Sequence, residues 1–268
     1  MIKNIVFLGV ILFNIAQLSS QIITSPYEPG SKSLKQFQQE YKFIQSKKIH
    51  YIQIFECQDS NCNINETQLI FSKEYDTLGR LTKEICFNCE TDSMKTLYTY
   101  NQLNLPETVT DFQFPEYPDT RIFEYNSTGK LINENYGSGE SRKYRFTYTP
   151  SGLIQKKIGQ SYAPDSIGTF AWSDCETRYF TYDKSDKLIE IKWMYVPGWG
   201  IPFKQKFTYN QNNQLVLYTQ FSIGDTEKTW NFQHTIEYRY NNNGLITREI
   251  KNSNENEKTY ISYRYIFY

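Results

Sequence analysis

Neither sign of charge is in excess: Lys and Arg number 29, Asp and Glu 29, and no basic run exceeds a pair. The electrostatic footprint that nucleic acid demands is missing, so nucleic acid is not an expected partner. Alanine is scarce and Met numbers 3, which argues against a helical protein. The 2 histidines, His50 and His234, stand within or beside strand patterns with no nucleophile near them in sequence, and both read as structural. Acidic residues are scattered singly, without the spacing of an acid–base pair. No residue set carries a reaction, and no cofactor or metal is called for, so the expectation is a protein that is not an enzyme.

Aromatic residues are plentiful, with Tyr 23 and Phe 18, as strands favour. Seven tyrosines, Tyr75, Tyr100, Tyr125, Tyr148, Tyr182, Tyr209 and Tyr240, each end an alternating segment, and Tyr265 begins an incomplete further copy. Each is followed by Asp76, Asn101, Asn126, Thr149, Asp183, Asn210 or Asn241, whose short polar side chains can bond amides further round a turn. Four residues after the tyrosine stands Gly79, Asn104, Gly129, Gly152, Asp186, Asn213 or Gly244, the residue types that best tolerate positive φ. These are hairpin turns. A leucine falls six residues on at Leu81, Leu131, Leu188 and Leu215 but five on at Leu105, Leu153 and Leu245, which implies turns of two lengths. Two residues before the tyrosine come Tyr98, Phe123, Phe146, Phe180, Phe207, Tyr238 and Tyr263, with Thr, Glu or Arg between, so one face is an aromatic stripe.

Tyr75-Asp76-Thr77-Leu78-Gly79-Arg80-Leu81 resembles the YD repeat of the RHS family in full, and the other copies resemble it in part, over residues 73–268. That resemblance implies one long antiparallel sheet of hairpins spiralling into a shell, for which this chain holds few hairpins.

Residues 1–20 read as a secretory signal, with Lys3, an apolar stretch over 5–15 and Ser19-Ser20 before Gln21. The stretch is too short to span a bilayer and carries Asn14, so an exported protein is expected, periplasmic, cell-surface or extracellular, with no membrane span once the signal is removed. Residues 21–48 comprise an extended leader and an amphipathic helix over 34–45, started by Ser33 and Gln36 as a capping box and carrying Leu34, Phe37, Tyr41 and Ile44 on one face. Residues 49–268 form the repeat domain, opened by strands over 49–57 and 68–75. The fold class is therefore all-β, an antiparallel meander of repeated β-hairpins in a curled or partly closed sheet with one short N-terminal helix. On the order of fifteen strands is too wide a barrel for side chains alone to fill, so the sheet closes incompletely or a helix and long loops occupy the space. An outer-membrane barrel is disfavoured, because segments such as 81–85 and 153–158 put charge or amide on both faces.

Cys57, Cys62, Cys86 and Cys89 fall at one corner of the first hairpins, where four thiolates would also suit structural zinc. Export favours disulfides. Two strand spacings, about 9.5 Å, separate the first and third strands, so local pairs are expected, Cys57 with Cys62 and Cys86 with Cys89, leaving Cys175 over. Two sequons occur, at Asn65 and Asn126, the second coinciding with a turn.

The turn end of the hairpins is short, while the opposite connections, over 111–120, 159–177, 196–204 and 222–231, are long and irregular. Trp172, Trp193, Tyr195, Trp199 and Trp230 fall in or beside them and form the candidate binding surface for a glycan or an envelope or surface protein. A plug of tryptophans completing the core is the competing reading. The expected function is a non-enzymatic scaffold; the alternatives are a glycan-acting enzyme with carboxylates in the curl and a structural envelope protein.

Overall fold

The computed structural model describes residues 34–57, 60, 62, 67–87, 94–112, 118–136, 142–164, 169–196, 200–223, 229–253 and 258–268; the signal and leader expected over 1–32 lie outside them. Among the described residues one helix, α1 (Leu34–Ser46), precedes the strands β1 (Ile49–Cys57), β2 (Thr67–Tyr75), β3 (Leu81–Cys86), β4 (Met94–Tyr100), β5 (Pro106–Asp111), β6 (Asp119–Tyr125), β7 (Leu131–Tyr136) and β8 (Arg142–Tyr148). The second half continues with β9 (Ile154–Pro164), β10 (Phe170–Tyr182), β11 (Leu188–Tyr195), β12 (Phe203–Tyr209), β13 (Leu215–Ile223), β14 (Trp230–Tyr240), β15 (Ile246–Ser253) and β16 (Lys258–Phe267).

Each strand pairs antiparallel with its sequence neighbours, and β1 pairs with β16, so the sheet is a closed barrel. Closure replaces the expected partial curl. Its seam is a long antiparallel ladder, with Ile52 opposite Tyr265 and Ile54 opposite Tyr263, which leaves no strand edge to protect.

All seven repeat turns have one length. The residue six after the tyrosine is its cross-strand partner every time: Leu81, Pro106, Leu131, Ile154, Leu188, Leu215 and Ile246. What varies is the residue before it, a buried Leu105, Leu153 or Leu245 in three turns and Arg80, Lys130, Lys187 or Gln214 in four. The leucine had been a poor ruler because it occupies either of two adjacent positions in an unchanged backbone. In each turn the amide of the positive-φ residue bonds the carbonyl of the Asx or Thr three before it, as with Gly79 to Asp76 at 2.9 Å. That pattern is a type I turn closed by a left-handed bulge residue. All seven expected positions have positive φ, from 58° at Asn104 to 86° at Gly152. The Asx carboxamides and carboxylates bond onward as their chemistry requires; Asp76 Oδ1 accepts from the amides of Leu78 and Arg80, both at 2.9 Å.

The tyrosines tie one hairpin to the next. Tyr100 donates to the carbonyl of Leu81 at 2.6 Å, Tyr182 to Ile154 at 2.9 Å, Tyr209 to Leu188 at 2.9 Å, Tyr240 to Leu215 at 2.7 Å and Tyr265 to Ile246 at 2.9 Å. Tyr148 bonds Leu131 in the same way. The basic turn residues lie over the next hairpin's tyrosine, Arg80 4.9 Å from the Tyr100 centroid, Lys130 5.3 Å from Tyr148 and Lys187 5.6 Å from Tyr209.

The aromatic stripe faces inward, where Tyr98, Phe123, Phe180, Phe207 and Tyr238 are buried. Helix α1 enters the turn end and adds Phe43 and Ile44 to the same core as Ile52, Ile54, Val109 and Ile154. The space that side chains cannot fill in so wide a barrel is thus occupied by the helix. Tyr41 meets the Tyr100 ring edge-on at 6.0 Å, and Gln45 donates to Thr77 of the first turn at 3.2 Å. Ser33, the expected cap, lies outside the described residues.

Many outward positions are polar, with Thr99, Glu124, Arg145, Thr147, Thr181, Lys206, Thr208, Glu237, Arg239 and Arg264 all exposed, and they interrupt exposed apolar residues such as Ile122 and Ile132. A lipid-facing band is apolar, and this face is not. No described helix is long and apolar enough to cross a membrane.

Candidate functional site

Alternation assigns each strand residue to the lumen or the outer face, and bulges change the assignment. On β10 the inward series is Tyr182, Phe180, Arg178 and Glu176, which by simple alternation would continue to Trp172. The register shifts between Asp174 and Glu176, leaving Cys175 as the extra residue, and Trp172 comes to lie opposite Tyr162 on the outer face. Asp174 confirms the switch by pairing with outward Arg145 at 2.9 Å. The same device acts on β14, where the shift at Gln233 leaves His234 inside against Tyr218 and turns Phe232 and Trp230 outward. On β11 no shift intervenes, so Trp193 and Tyr195 stay with Ile191 on the lumen face.

The four described candidate residues, Trp172, Trp193, Tyr195 and Trp230, therefore do not form one surface. Trp172 joins an outer cluster in which its ring is 5.4 Å from Tyr162, which is 5.6 Å from Phe170, with the Lys143 ammonium 4.0 Å from the indole centroid. Tyr162 is 45% and Phe170 59% exposed. Trp230 lies on the outer face four strands away, with Lys204 at 4.6 Å and Lys192 at 5.7 Å from its ring. Trp193 packs on the core, 4.5 Å from Phe203, under the Arg178 guanidinium at 3.5 Å. Tyr195 lies 6.5 Å from both Trp193 and Phe203, and Gly200 rests on its ring, where an added Cβ would come within 3.0 Å. Trp199 lies outside the described residues.

A layer of charge lies inside the barrel, where carboxylates were expected only under the enzyme alternative. The residue nine after each tyrosine points inward opposite the stripe: Glu84, Val109, Glu134, Lys157, Ile191, Tyr218 and Glu249. Lys157 reaches both oxygens of Glu134, at 3.1 and 2.9 Å, with both side chains almost wholly buried and the Tyr144 ring 4.1 Å from the ammonium. Glu84 pairs with Lys73 at 2.9 Å and accepts from Tyr98, while Glu249 accepts from Tyr263. Burial alone would raise the Glu84 carboxyl, but the Lys73 charge and the hydrogen bonds from Tyr98 and Lys73 outweigh it and hold it below the ordinary value. Burial prevails at Glu249 and raises it, against the opposing pull of the Tyr263 bond and Lys73. Glu176 is likewise held by Arg178 at 2.7 Å. The constant nine-residue offset was the available signal for this layer.

Cys57 and Cys62 are bonded, with Cα atoms 4.9 Å apart, as the local pairing required. Cys86 is also disulfide-bonded; Cys89, its expected partner, lies outside the described residues, and so does Asn65 of the first sequon. Cys175 is free and buried at its bulge, its thiol 3.3 Å from the Gly159 carbonyl. His50 Nδ1 donates to the Tyr75 carbonyl at 3.2 Å, and the ring is flanked by the Tyr51 and Tyr268 rings. Among the described residues no group of three metal-binding side chains converges. An open cleft of about 790 Å³ lies at the turn end, between the last two repeat turns, lined by residues including Phe43, Lys47, Asn212, Tyr238, Arg239 and Asn242.

The chain matches no protein-family model and no curated protein. Among solved structures it is similar to a porin-like protein from Bacteroides vulgatus ATCC 8482, at 10% identity over 81% of this chain and 99% of that one, with a TM-score of 0.39. A porin-like protein from Bacteroides uniformis ATCC 8492 gives 10% identity over 81% and 98%, with a TM-score of 0.35. A chain of the TcdB2-TccC3-Cdc42 structure gives 14% identity over 76% of this chain, with a TM-score of 0.34, and this chain spans 10% of its length. Identities and scores this low leave the functional reading to the chain's own geometry.

Proposed function

We propose that the protein is an exported, non-enzymatic β-repeat scaffold of the YD type that binds a glycan through the outer face of its barrel beside the long-loop edge. The observation that carries this reading is the pair of bulges on β10 and β14, which turn Trp172 out of the core into a cluster with Tyr162 and Phe170, and Trp230 out of the core beside Lys192 and Lys204. A tryptophan that alternation would bury is held outside, and large exposed aromatics on a rigid sheet offer the flat apolar contact that a sugar ring stacks upon. The cluster of Tyr162, Phe170 and Trp172 is the more accessible of the two.

The enzyme alternative needs carboxylates facing a cleft that substrate can enter. The inward carboxylates Glu84, Glu134, Glu176 and Glu249 are instead each engaged with a cation or a tyrosine within the packed interior, which favours the scaffold. Retention on a panel of immobilised polysaccharides tests the reading with the Tyr162→Ala/Phe170→Ala double variant. Loss of retention at an unchanged melting temperature is expected. Retention equal to the unaltered protein on every polysaccharide that it binds, or no retention of the unaltered protein on any, would remove the outer cluster as the site.

A further inference from the structure

One line of cross-strand partners on the outer face has an unusual composition. Lys156 is opposite Tyr179, Tyr179 opposite Lys192, Lys192 opposite Lys204, Lys204 opposite Phe221, and Phe221 opposite Phe232. The line crosses six adjacent strands, β9 to β14, and at ~4.8 Å per strand its ends are roughly 24 Å apart. Every member is a lysine or an aromatic. Tyr179 is 44% and Phe232 39% exposed. The ammonium groups lie against the rings, Lys156 at 5.5 Å from Tyr179, Lys204 at 5.1 Å from Phe221, and Lys206, one row towards the turn end, at 5.9 Å from Phe221.

Like charges directly opposite on neighbouring strands destabilise a sheet. Lys192 and Lys204 are such a pair, and Lys206 is two residues along the same strand face as Lys204. None of the three makes an ion pair among the described residues; Glu190, opposite Lys206, is the nearest balancing carboxylate in the register. Some other outer-face cations are matched, as Lys83 is with Glu74 and Arg145 with Asp174, while Arg239 opposite Arg248 is a second like-charge pair, without the exposed rings that flank the lysines. The Lys204 ammonium responds accordingly, with a pKa lowered by burial, then by Lys206, with Lys192 adding to it against Glu190. The row on the loop side, Ile158, Thr177 and Met194, holds no charge. A chain that spends stability on crowded cations beside exposed rings is complementary to a ligand with repeated anionic groups and flat apolar faces.

We propose that the belt of Lys156, Tyr179, Lys192, Lys204, Phe221 and Phe232 binds an acidic polysaccharide laid across the strands. This deepens the glycan-binding reading above and rests on it. Carboxylates of successive sugars meet Lys156, Lys192 and Lys204, and pyranose faces lie on Tyr179 and Phe232. Because the lysines are unpaired, ligand binding relieves a repulsion already present in the fold, and added salt weakens it by screening.

The test is titration calorimetry of the folded chain with polygalacturonate, with dextran as the neutral polymer and with polyphosphate and single-stranded DNA as other polyanions. Polygalacturonate is expected to bind more tightly than the other three, and less tightly in high salt. Lys192→Gln/Lys204→Gln and Tyr179→Ala/Phe232→Ala are each expected to weaken it by roughly tenfold or more. The lysine variant should melt no lower than the unaltered protein, since it removes a like-charge pair. Polygalacturonate binding that is absent, or unchanged in the lysine variant, overturns the proposal, as does equal binding of polyphosphate, which is mere ion exchange, or tighter binding of DNA. Neutral polysaccharide retention that persists through Tyr162 and Phe170 while polygalacturonate fails would remove the belt and leave the wider glycan reading standing.

Discussion

Tyr125 departs from the series of hairpin-linking tyrosines, because its hydroxyl is buried without a hydrogen-bond partner while Tyr209 donates to Leu188 at 2.9 Å. Removing the oxygen from Tyr209 strands a carbonyl, at about 1 kcal/mol or more, whereas at Tyr125 it removes an unsatisfied group. Denaturant unfolding should therefore show Tyr209→Phe destabilised and Tyr125→Phe unchanged or stabilised; equal losses would mean that the bonds do not hold the hairpins. Glu84 and Glu249 make a second opposed pair. The folded Glu84 pKa is lowered, so its contribution is present above the ordinary 4.5 and is lost as pH falls through the folded value. The folded Glu249 pKa is raised, so its sign is reversed, and stability declines as pH rises from 4.5 through the higher folded value. At neutral pH Glu84→Gln should melt lower, leaving the half-buried Lys73 without its partner, while Glu249→Gln should melt at the same temperature or higher. Melting curves over pH check both, and parallel shifts would contradict the assignment of the two carboxyls.

Turns and helix depend on each other at Gly79, whose φ is +80° and whose added Cβ would come within 2.2 Å of the Tyr41 carbonyl of α1. Gly152 has φ +86°, but its neighbour is the flexible end of Lys130, at 3.2 Å. Both alanine variants bear the left-handed strain of about 1–3 kcal/mol, and only Gly79→Ala must also displace helix backbone. A larger loss of melting temperature at Gly79 than at Gly152 is expected, and the reverse order would place the helix elsewhere. Phe43→Ala should cost about 3–5 kcal/mol, since α1 fills space that the strands leave open. The turn chemistry was legible because it is local: an Asx or, once, a Thr side chain, a left-handed residue and a tyrosine within a few positions dictate the same backbone turn seven times. The helix was legible from Phe37 and Ile44 at helical spacing. Turn length was misread because Leu105, Leu153 and Leu245 sit one place before the paired residue, a difference that only the ladder from Tyr100 to Pro106 and its equivalents reveals.

Closure of the whole barrel was not legible, since it is made by Ile52 and Ile54 meeting Tyr265 and Tyr263 across most of the chain, and no local pattern encodes that seam. The site was half legible. The tryptophans were singled out by their place near the long loops, but whether each points in or out depends on one extra residue, Cys175 or Gln233, that looks like ordinary strand sequence. Trp193, without such a bulge before it, took the core reading instead. The resulting molecule carries an aromatic core with buried ion pairs inside and a largely polar surface outside, and it should remain monodisperse in buffer without detergent. The most direct measurement compares Trp193→Ala with Trp172→Ala for melting temperature and polysaccharide retention together. Trp193→Ala is predicted to melt markedly lower, by the equivalent of about 3–5 kcal/mol, with retention persisting in whatever remains folded, and Trp172→Ala to lose retention without melting earlier. The opposite pattern, retention lost with Trp193 and stability lost with Trp172, would contradict a barrel that packs within and recognises from outside.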